Sequence, residues 1–306
     1  MKFKKLSGII PATFTPMHPD GSLHLEAIPS YYELLIRNTI STIFICGTTG
    51  EGELLTKEER MMVAEKWLEV SSTNKQFKVI VVAGSNRIDE AIALAKHAEK
   101  NGAYGISYIS PYYYKPGTID ALIECCKKVA AAVPSLPFYY YHIPILTHVK
   151  FSMIEFLQKA DSQITNLAGV KYSDEDHVDY LKCLQFNNGS HDIFWGKDET
   201  LLSALSIGAS AAIGSTYNYM TPLYASILDA FNVKDIVTAQ NLQMKSVEVV
   251  NLLYKYTGLS TGKYMMKLLG VDCGPSRSPL SNLSSTQMKS LEEDLKSIGF
   301  SNFCMK

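Results

Sequence analysis

Arginine is almost missing from this chain. Only Arg37, Arg60, Arg87 and Arg277 occur among its 306 residues; every other basic residue is lysine. Any bidentate clamp on a carboxylate or phosphate must draw on one of those four positions. An excess of one charge sign is missing too. The chain has 29 basic and 30 acidic residues and a net charge of −1, which offers no field to hold nucleic acid or an anionic membrane surface. No apolar run approaches the length that spans a bilayer. Basic residues precede an apolar stretch near the start, but Pro11 and Pro16 interrupt it, so it is expected to form a strand over residues 8–16 rather than a signal peptide. The six cysteines, Cys46, Cys125, Cys126, Cys183, Cys273 and Cys304, form no CxxC pair. A disulfide frame or zinc site is not expected, and a reduced cytoplasm fits best. The histidines show neither HxH nor HExxH spacing, the acids form no calcium loop, and no metal is expected.

What is present is a globular composition, 46% hydrophobic and 19% charged, which excludes a mainly disordered chain. Short β-rich runs alternate with longer helical patterns. Strands are expected from Gly8, Thr42, Lys78, Gly105, Pro137, Leu167, Asp192 and Ala211. Most are continuous apolar runs, as strands buried on both faces are. Between them, Leu122, Cys125, Cys126, Val129, Ala132 and Val133 share one helical face, and Ile88, Ala91, Ile92, Ala95 and Ala98 share another. Thr56 and Glu59 open the intervening segment with a capping-box pattern. Helices between consecutive buried strands imply parallel β/α units, and eight of them imply an α/β fold closed as a (β/α)8 TIM barrel. An open doubly wound sheet is the competitor, but no GxGxxG follows the first strand and no GK[ST] closes a phosphate loop. From about Tyr217 the chain reads as helix only, so residues 217–306 include two or three extra C-terminal helices within one unit spanning 1–306.

In such a barrel the chemistry sits at the C-terminal ends of the strands. Those ends carry Gly47-Thr48-Thr49-Gly50-Glu51, Tyr112 to Tyr114, Tyr139 to His142, Lys171 with Ser173, Gly196 to Glu199, and Gly214-Ser215-Thr216. Lys171 interrupts the apolar run LAGVKYSD. Desolvation favours a neutral amine, and a neutral amine is the nucleophile that forms a Schiff base with a ketone. Pairing with a buried carboxylate, or snorkelling to solvent, is the structural alternative. Tyr141 is either an acid–base partner or one more barrel-core tyrosine among 18. The GTTGE turn either holds a carboxylate on its N–H groups and hydroxyls or is a tight β/α turn. Asp198 and Glu199 either accept hydrogen bonds from a polyol or favour a helix N-terminus. His142 alternates with Tyr141 in an extended strand and is expected to point away from it.

Six segments occur together and in order: GTTGE at Gly47, PYYY at Pro111, YHIP at Tyr141, GVKYSD at Gly169, GKDE at Gly196 and GSTYN at Gly214. With them the chain resembles, over essentially its whole length, the class I pyruvate-aldolase superfamily of N-acetylneuraminate lyase and dihydrodipicolinate synthase. The resemblance implies that Lys171 forms the Schiff base and that Tyr141 moves the protons. It implies that Thr48 and Thr49 hold the substrate carboxylate, and that Tyr113 is inserted by a neighbouring subunit. Ser173, Gly196, Asp198, Glu199 and Ser215 would line a sugar-tail pocket. Dihydrodipicolinate synthases place an arginine five residues after the catalytic tyrosine; here that position is Leu146. The GKDE, GSTYN and YYYHIP segments resemble the sialic acid lyase branch. Thr48 stands where many of those lyases have serine, and Ser173 where many have threonine. The activity implied is reversible cleavage of N-acetylneuraminate to N-acetylmannosamine and pyruvate. No metal or organic cofactor is implied, and the assembly implied is a homotetramer. Another 2-keto-acid aldolase, dehydratase or synthase is the alternative, and a non-catalytic sialic acid sensor is the alternative from a different class.

Overall fold

The computed structural model describes residues 3–306. Eight parallel strands alternate with helices: β1 (Gly8–Pro11), α1 (Ile28–Arg37), β2 (Thr42–Ile45), α2 (Lys57–Ser71), β3 (Lys78–Val82), α3 (Ile88–Lys100), β4 (Gly105–Ile109), α4 (Ile119–Ala131) and β5 (Phe138–His142). After the short α5 (Pro144–Thr147) come α6 (Met153–Ala160), β6 (Leu167–Tyr172), α7 (His177–Gln185), β7 (Asp192–Trp195), α8 (Leu201–Ser206), β8 (Ala211–Gly214) and α9 (Tyr217–Asn232). The strand order is β1-β8-β7-β6-β5-β4-β3-β2. The gap between β1 and β2 is closed by a parallel bridge from Ala12 to Phe44, where Thr13 N–H donates to Phe44 O at 3.0 Å. The result is the expected (β/α)8 barrel.

Side-chain alternation divides the core in two. Inside the barrel pack Ile10, Ala12, Phe44, Ile80, Val82, Tyr139, Tyr141 and Phe194. Between strands and helices lies the larger layer, including Ile43, Val81, Tyr108, Tyr140 and Tyr172. Every residue of β2, β4, β5, β6, β7 and β8 is buried, which is why these strands read as unbroken apolar runs. The helices follow their sequence signals. Thr56 and Glu59 form the reciprocal capping box of α2, and Leu122, Cys126 and Val129 of α4 face the core. Cys125 and Ala132 are only half-buried, and Ile123 and Ala130 take the core positions instead, because the buried stripe of α4 is rotated from the one the spacing suggested.

The strands are shorter than their apolar runs. The first ends at Pro11, not residue 16. Beyond that point Phe14, Thr15 and Pro16 stay buried without strand geometry, because the chain leaves the ladder where the barrel mouth opens. Three extra helices follow α9: α10 (Ile236–Lys255), α11 (Leu259–Leu268) and α12 (Ser285–Ser297). α10 packs on α9, and the turn at Gly258 brings the start of α11 over the mouth. No helix among the described residues is long and apolar enough to cross a membrane.

Candidate active site

The site begins with a register. Tyr141 of β5 lies directly beside Lys171 of β6, so both side chains enter the barrel at one level near its C-terminal end. Lys171 is 4% exposed and lines a cavity of about 600 Å³. Its Nζ sits 4.0 Å from the centre of the Tyr141 ring and 4.3 Å from that of Phe44, and the two rings meet edge-on at 5.6 Å. Among the described residues no carboxylate pairs with Lys171 within 4.0 Å, and its burial shows that it does not snorkel outward. Two aromatic faces thus flank the amine, and no carboxylate holds it in an ion pair.

The turn after β2 supplies the next part. Thr48 Oγ1 lies 3.3 Å from the Tyr141 hydroxyl, and Thr48 and Thr49 both line the cavity. The turn closes on itself through Glu51 N–H to Thr48 O at 3.1 Å and Gly52 N–H to Gly47 O at 3.0 Å.

The opposite wall comes from the ends of β6, β7 and β8. Asp198 is buried, and its Oδ2 accepts bonds from Thr216 N–H at 2.8 Å and from Thr216 Oγ1 at 2.7 Å. It thus sits at the start of α9, whose N-cap residue is Thr216, as well as in the first turn of the short 3-10 helix Asp198–Thr200. Burial pushes its carboxyl up to about 6 against the Thr216 hydrogen bonds, which hold it down. Ser173 Oγ is buried without a hydrogen-bond partner. Glu199 and Ser215 are half-buried, and with Ser173 and Gly196 they line the same wall. Gly196 and Gly214 are glycine for lack of room. A Cβ at Gly196 would lie 2.0 Å from Ser173 Oγ, and one at Gly214 would lie 1.6 Å from Asp198 Oδ1. Asn218 seats this wall: its Nδ2 donates to Ala12 O at 2.6 Å and Ser215 O at 2.7 Å, while its Oδ1 accepts from Tyr31 Oη at 2.6 Å.

Two residues at the strand ends stand apart from the cavity, His142 as expected. His142 points out of the barrel, with Nε2 3.6 Å from Asp174 Oδ2, and the neighbouring imidazole holds the Asp174 carboxyl below the usual range. Tyr113 is 75% exposed and does not line this chain's cavity. Its loop is held by Asn86 Oδ1, which accepts from the N–H groups of Tyr112 and Tyr113 at 3.0 Å each.

No arginine lines the cavity among the described residues. Arg60 donates to the carbonyls of Gly84 and Val82 at 2.6 and 2.7 Å, Arg277 binds Glu59, Arg87 binds Asp89, and Arg37 donates to Glu33 O. Leu146 stands at the mouth instead. Lys197 turns to the rim and pairs with Glu175. Sequence reasoning missed Phe44, hidden in a strand run, although its place on the inward face of β2 was available from alternation. It also missed Val250, Leu253, Tyr254 and Leu259, which no motif marks because tertiary packing alone brings α10 and α11 to the mouth.

The family model described as "Dihydrodipicolinate synthetase family" matches residues 5–298. The N-acetylneuraminate lyase of Pongo abelii is 42% identical over 304 residues, covering 98% of this chain and 95% of its own. Among solved structures, the Proteus mirabilis N-acetylneuraminate lyase superposes with a TM-score of 0.94 at 36% identity, covering 97% of this chain and all of its own. The Aliivibrio salmonicida enzyme of the same name gives 0.94 at 37% identity, with 97% and 98% covered. The chain belongs to the dihydrodipicolinate synthetase family.

Proposed function

We propose, from that membership and from the geometry of the cavity, that the protein is an N-acetylneuraminate lyase, a class I aldolase that cleaves N-acetylneuraminate reversibly to N-acetylmannosamine and pyruvate. The observation that carries the proposal is the buried, acid-free Lys171 amine beside Tyr141 in a cavity with no arginine. A wall of hydroxyls and acids suits a neutral polyol tail. A second substrate carboxylate would find no arginine there; beyond Lys171 the lining cations are Lys150 and Lys197, and Lys197 is already paired with Glu175.

The chemistry follows from the positions. Lys171 Nζ attacks the C2 ketone of the open-chain sugar acid, and loss of water leaves a protonated iminium. Thr48 and Thr49 hold the neighbouring carboxylate. Tyr141, hydrogen-bonded to Thr48, gives its phenolic proton to the departing water, and the phenolate so formed takes the proton of the C4 hydroxyl and later returns it to C3. The C3–C4 bond breaks, its electron pair moves into the iminium, and the aldehyde sugar departs. The resulting enamine is protonated at C3, and water hydrolyses the iminium to release pyruvate. The iminium is the electron sink, so the scheme calls on no metal or organic cofactor. Ser173, Gly196, Asp198, Glu199 and Ser215 grip the tail.

Tyr113 projects from its own chain, which supports its insertion into a neighbour's site within a homotetramer. Free cysteines throughout support a cytoplasmic setting. Mixing Tyr113→Phe with Lys171→Ala protomers tests the assembly: hybrids regain activity if the tyrosine acts between chains. The activity itself is tested by product analysis. Release of N-acetylmannosamine and pyruvate from N-acetylneuraminate is the expected result. Turnover only of 2-keto-3-deoxy sugar acids, or only condensation of pyruvate with aspartate semialdehyde, would overturn it, as would tight binding with no turnover.

A further inference from the structure

The last residue of the GTTGE turn does not face the cavity. Glu51 adopts left-handed backbone, at φ +55°, and its carboxylate turns beneath the turn into the protein. There it pairs with Lys263 Nζ of α11, and both side chains are fully buried. Glu51 Oε2 also accepts a 2.8 Å bond from the Arg277 N–H, and Lys263 Nζ donates to Pro275 O at 2.8 Å. The Arg277 guanidinium then spans both oxygens of Glu59, at 2.7 and 2.5 Å, and reaches Leu54 O at 3.0 Å. The segment around the turn is thus tied at several points to residues 263–277, a part of the chain outside the (β/α)8 barrel.

A buried ion pair adds little net stability over apolar side chains of the same size. What it does add is a fixed distance and direction between two elements. We propose that Glu51 and Lys263 are positioning residues for the substrate carboxylate. They set the height of the Thr48–Thr49 segment over Lys171, and so make ketone capture depend on the carboxylate beside it. α11 both covers the mouth and fixes that segment. The inference rests on the assignment of Thr48 and Thr49 as the carboxylate holders.

The test compares two ketones that Lys171 can capture. Pyruvate carries the carboxylate, and hydroxyacetone does not. Each is trapped on the full-length protein with cyanoborohydride, and the concentration for half-maximal trapping is read by intact mass. In Glu51→Gln and in Lys263→Met, the pyruvate value is expected to rise about tenfold or more, since a displacement of about 1 Å is enough for such a loss. The hydroxyacetone value and the limiting rate at saturating pyruvate are expected to stay within about twofold, an energy difference below about 0.5 kcal/mol. The double variant Glu51→Gln/Lys263→Met, which buries no unpaired charge, is expected to keep the fold and the pyruvate defect together. Equal loss with both ketones in every variant would show that the pair only supports the fold, and would overturn the inference. Unchanged pyruvate trapping would overturn it too. Thr49→Val separates the two layers of the argument. If Thr49→Val impairs pyruvate selectively and Glu51→Gln does not, the positioning inference alone fails. If Thr49→Val changes nothing, the carboxylate assignment beneath it fails.

Discussion

Asp192 opens strand β7 at the floor of the barrel, and Asp198 follows the same strand at its mouth. Both are buried, and burial pushes both carboxyls up to about 6. Their surroundings differ. Asp192 Oδ1 accepts from Leu6 N–H at 3.1 Å, and its Oδ2 accepts from Tyr139 Oη at 3.1 Å, so it ties the chain before β1 across the floor. Asp198 is held on one oxygen by Thr216 and lines the cavity. The comparison teaches that a perturbed carboxyl marks burial and not function. The floor aspartate is tied into the fold, whereas the mouth aspartate lines the cavity and, on the proposed function, meets the ligand.

The comparison breaks most visibly at the mouth. Lys171→Ala is expected to lower kcat by at least about 10⁴-fold, as loss of a covalent nucleophile does. Its melting temperature is expected not to fall, because the lysine has no acid partner to abandon. Asp198→Asn comes next. It replaces an acceptor facing the sugar with a mixed donor and acceptor, and hydrogen bonds to a charged group contribute about 1.5–3 kcal/mol. KM for N-acetylneuraminate is expected to rise about 10- to 100-fold, while half-maximal pyruvate trapping stays put. At the floor the signs reverse. Tyr139→Phe strips Asp192 of one partner and is expected to cost about 1–3 kcal/mol in denaturant unfolding, with KM and kcat unchanged.

The smallest effect is in the pH profile. A carboxyl at about 6 in the folded protein, against an ordinary 3.8, keeps its proton where the unfolded chain has already lost it. That contribution is fully present below about pH 4 and is lost as pH rises through about 6. Asp192→Asn is therefore expected to flatten the stability profile between about pH 4 and pH 6 relative to the parent, with no change in the pH dependence of KM. Asp198→Asn is expected to flatten both. A pH-dependent KM that Asp192→Asn removes would erase the distinction between floor and mouth.

Much of this was readable before any coordinates. Eight buried runs separated by helical periods define the barrel, and the rule that chemistry sits at strand ends brings Thr48, Tyr141, Lys171, Asp198 and Ser215 forward. Three things were hidden, each for a physical reason. Strand ends were overrun because Phe14 and its neighbours stay apolar and buried after leaving the ladder. The lid residues Leu253, Tyr254 and Leu259 gather only through the packing of α10 and α11. Glu51 read as part of a binding turn, but its left-handed backbone turns it onto Lys263, more than 200 residues along the chain, and no local spacing signals that partner.

The central claim is that Lys171 forms a Schiff base with a 2-keto acid, and one measurement tests it most directly. The protein is incubated with pyruvate, reduced with borohydride, digested, and mapped by peptide mass spectrometry. The predicted result is a single stable adduct on Lys171 that is absent from Lys171→Ala. No adduct, or an adduct on another lysine that persists in Lys171→Ala, would contradict the account.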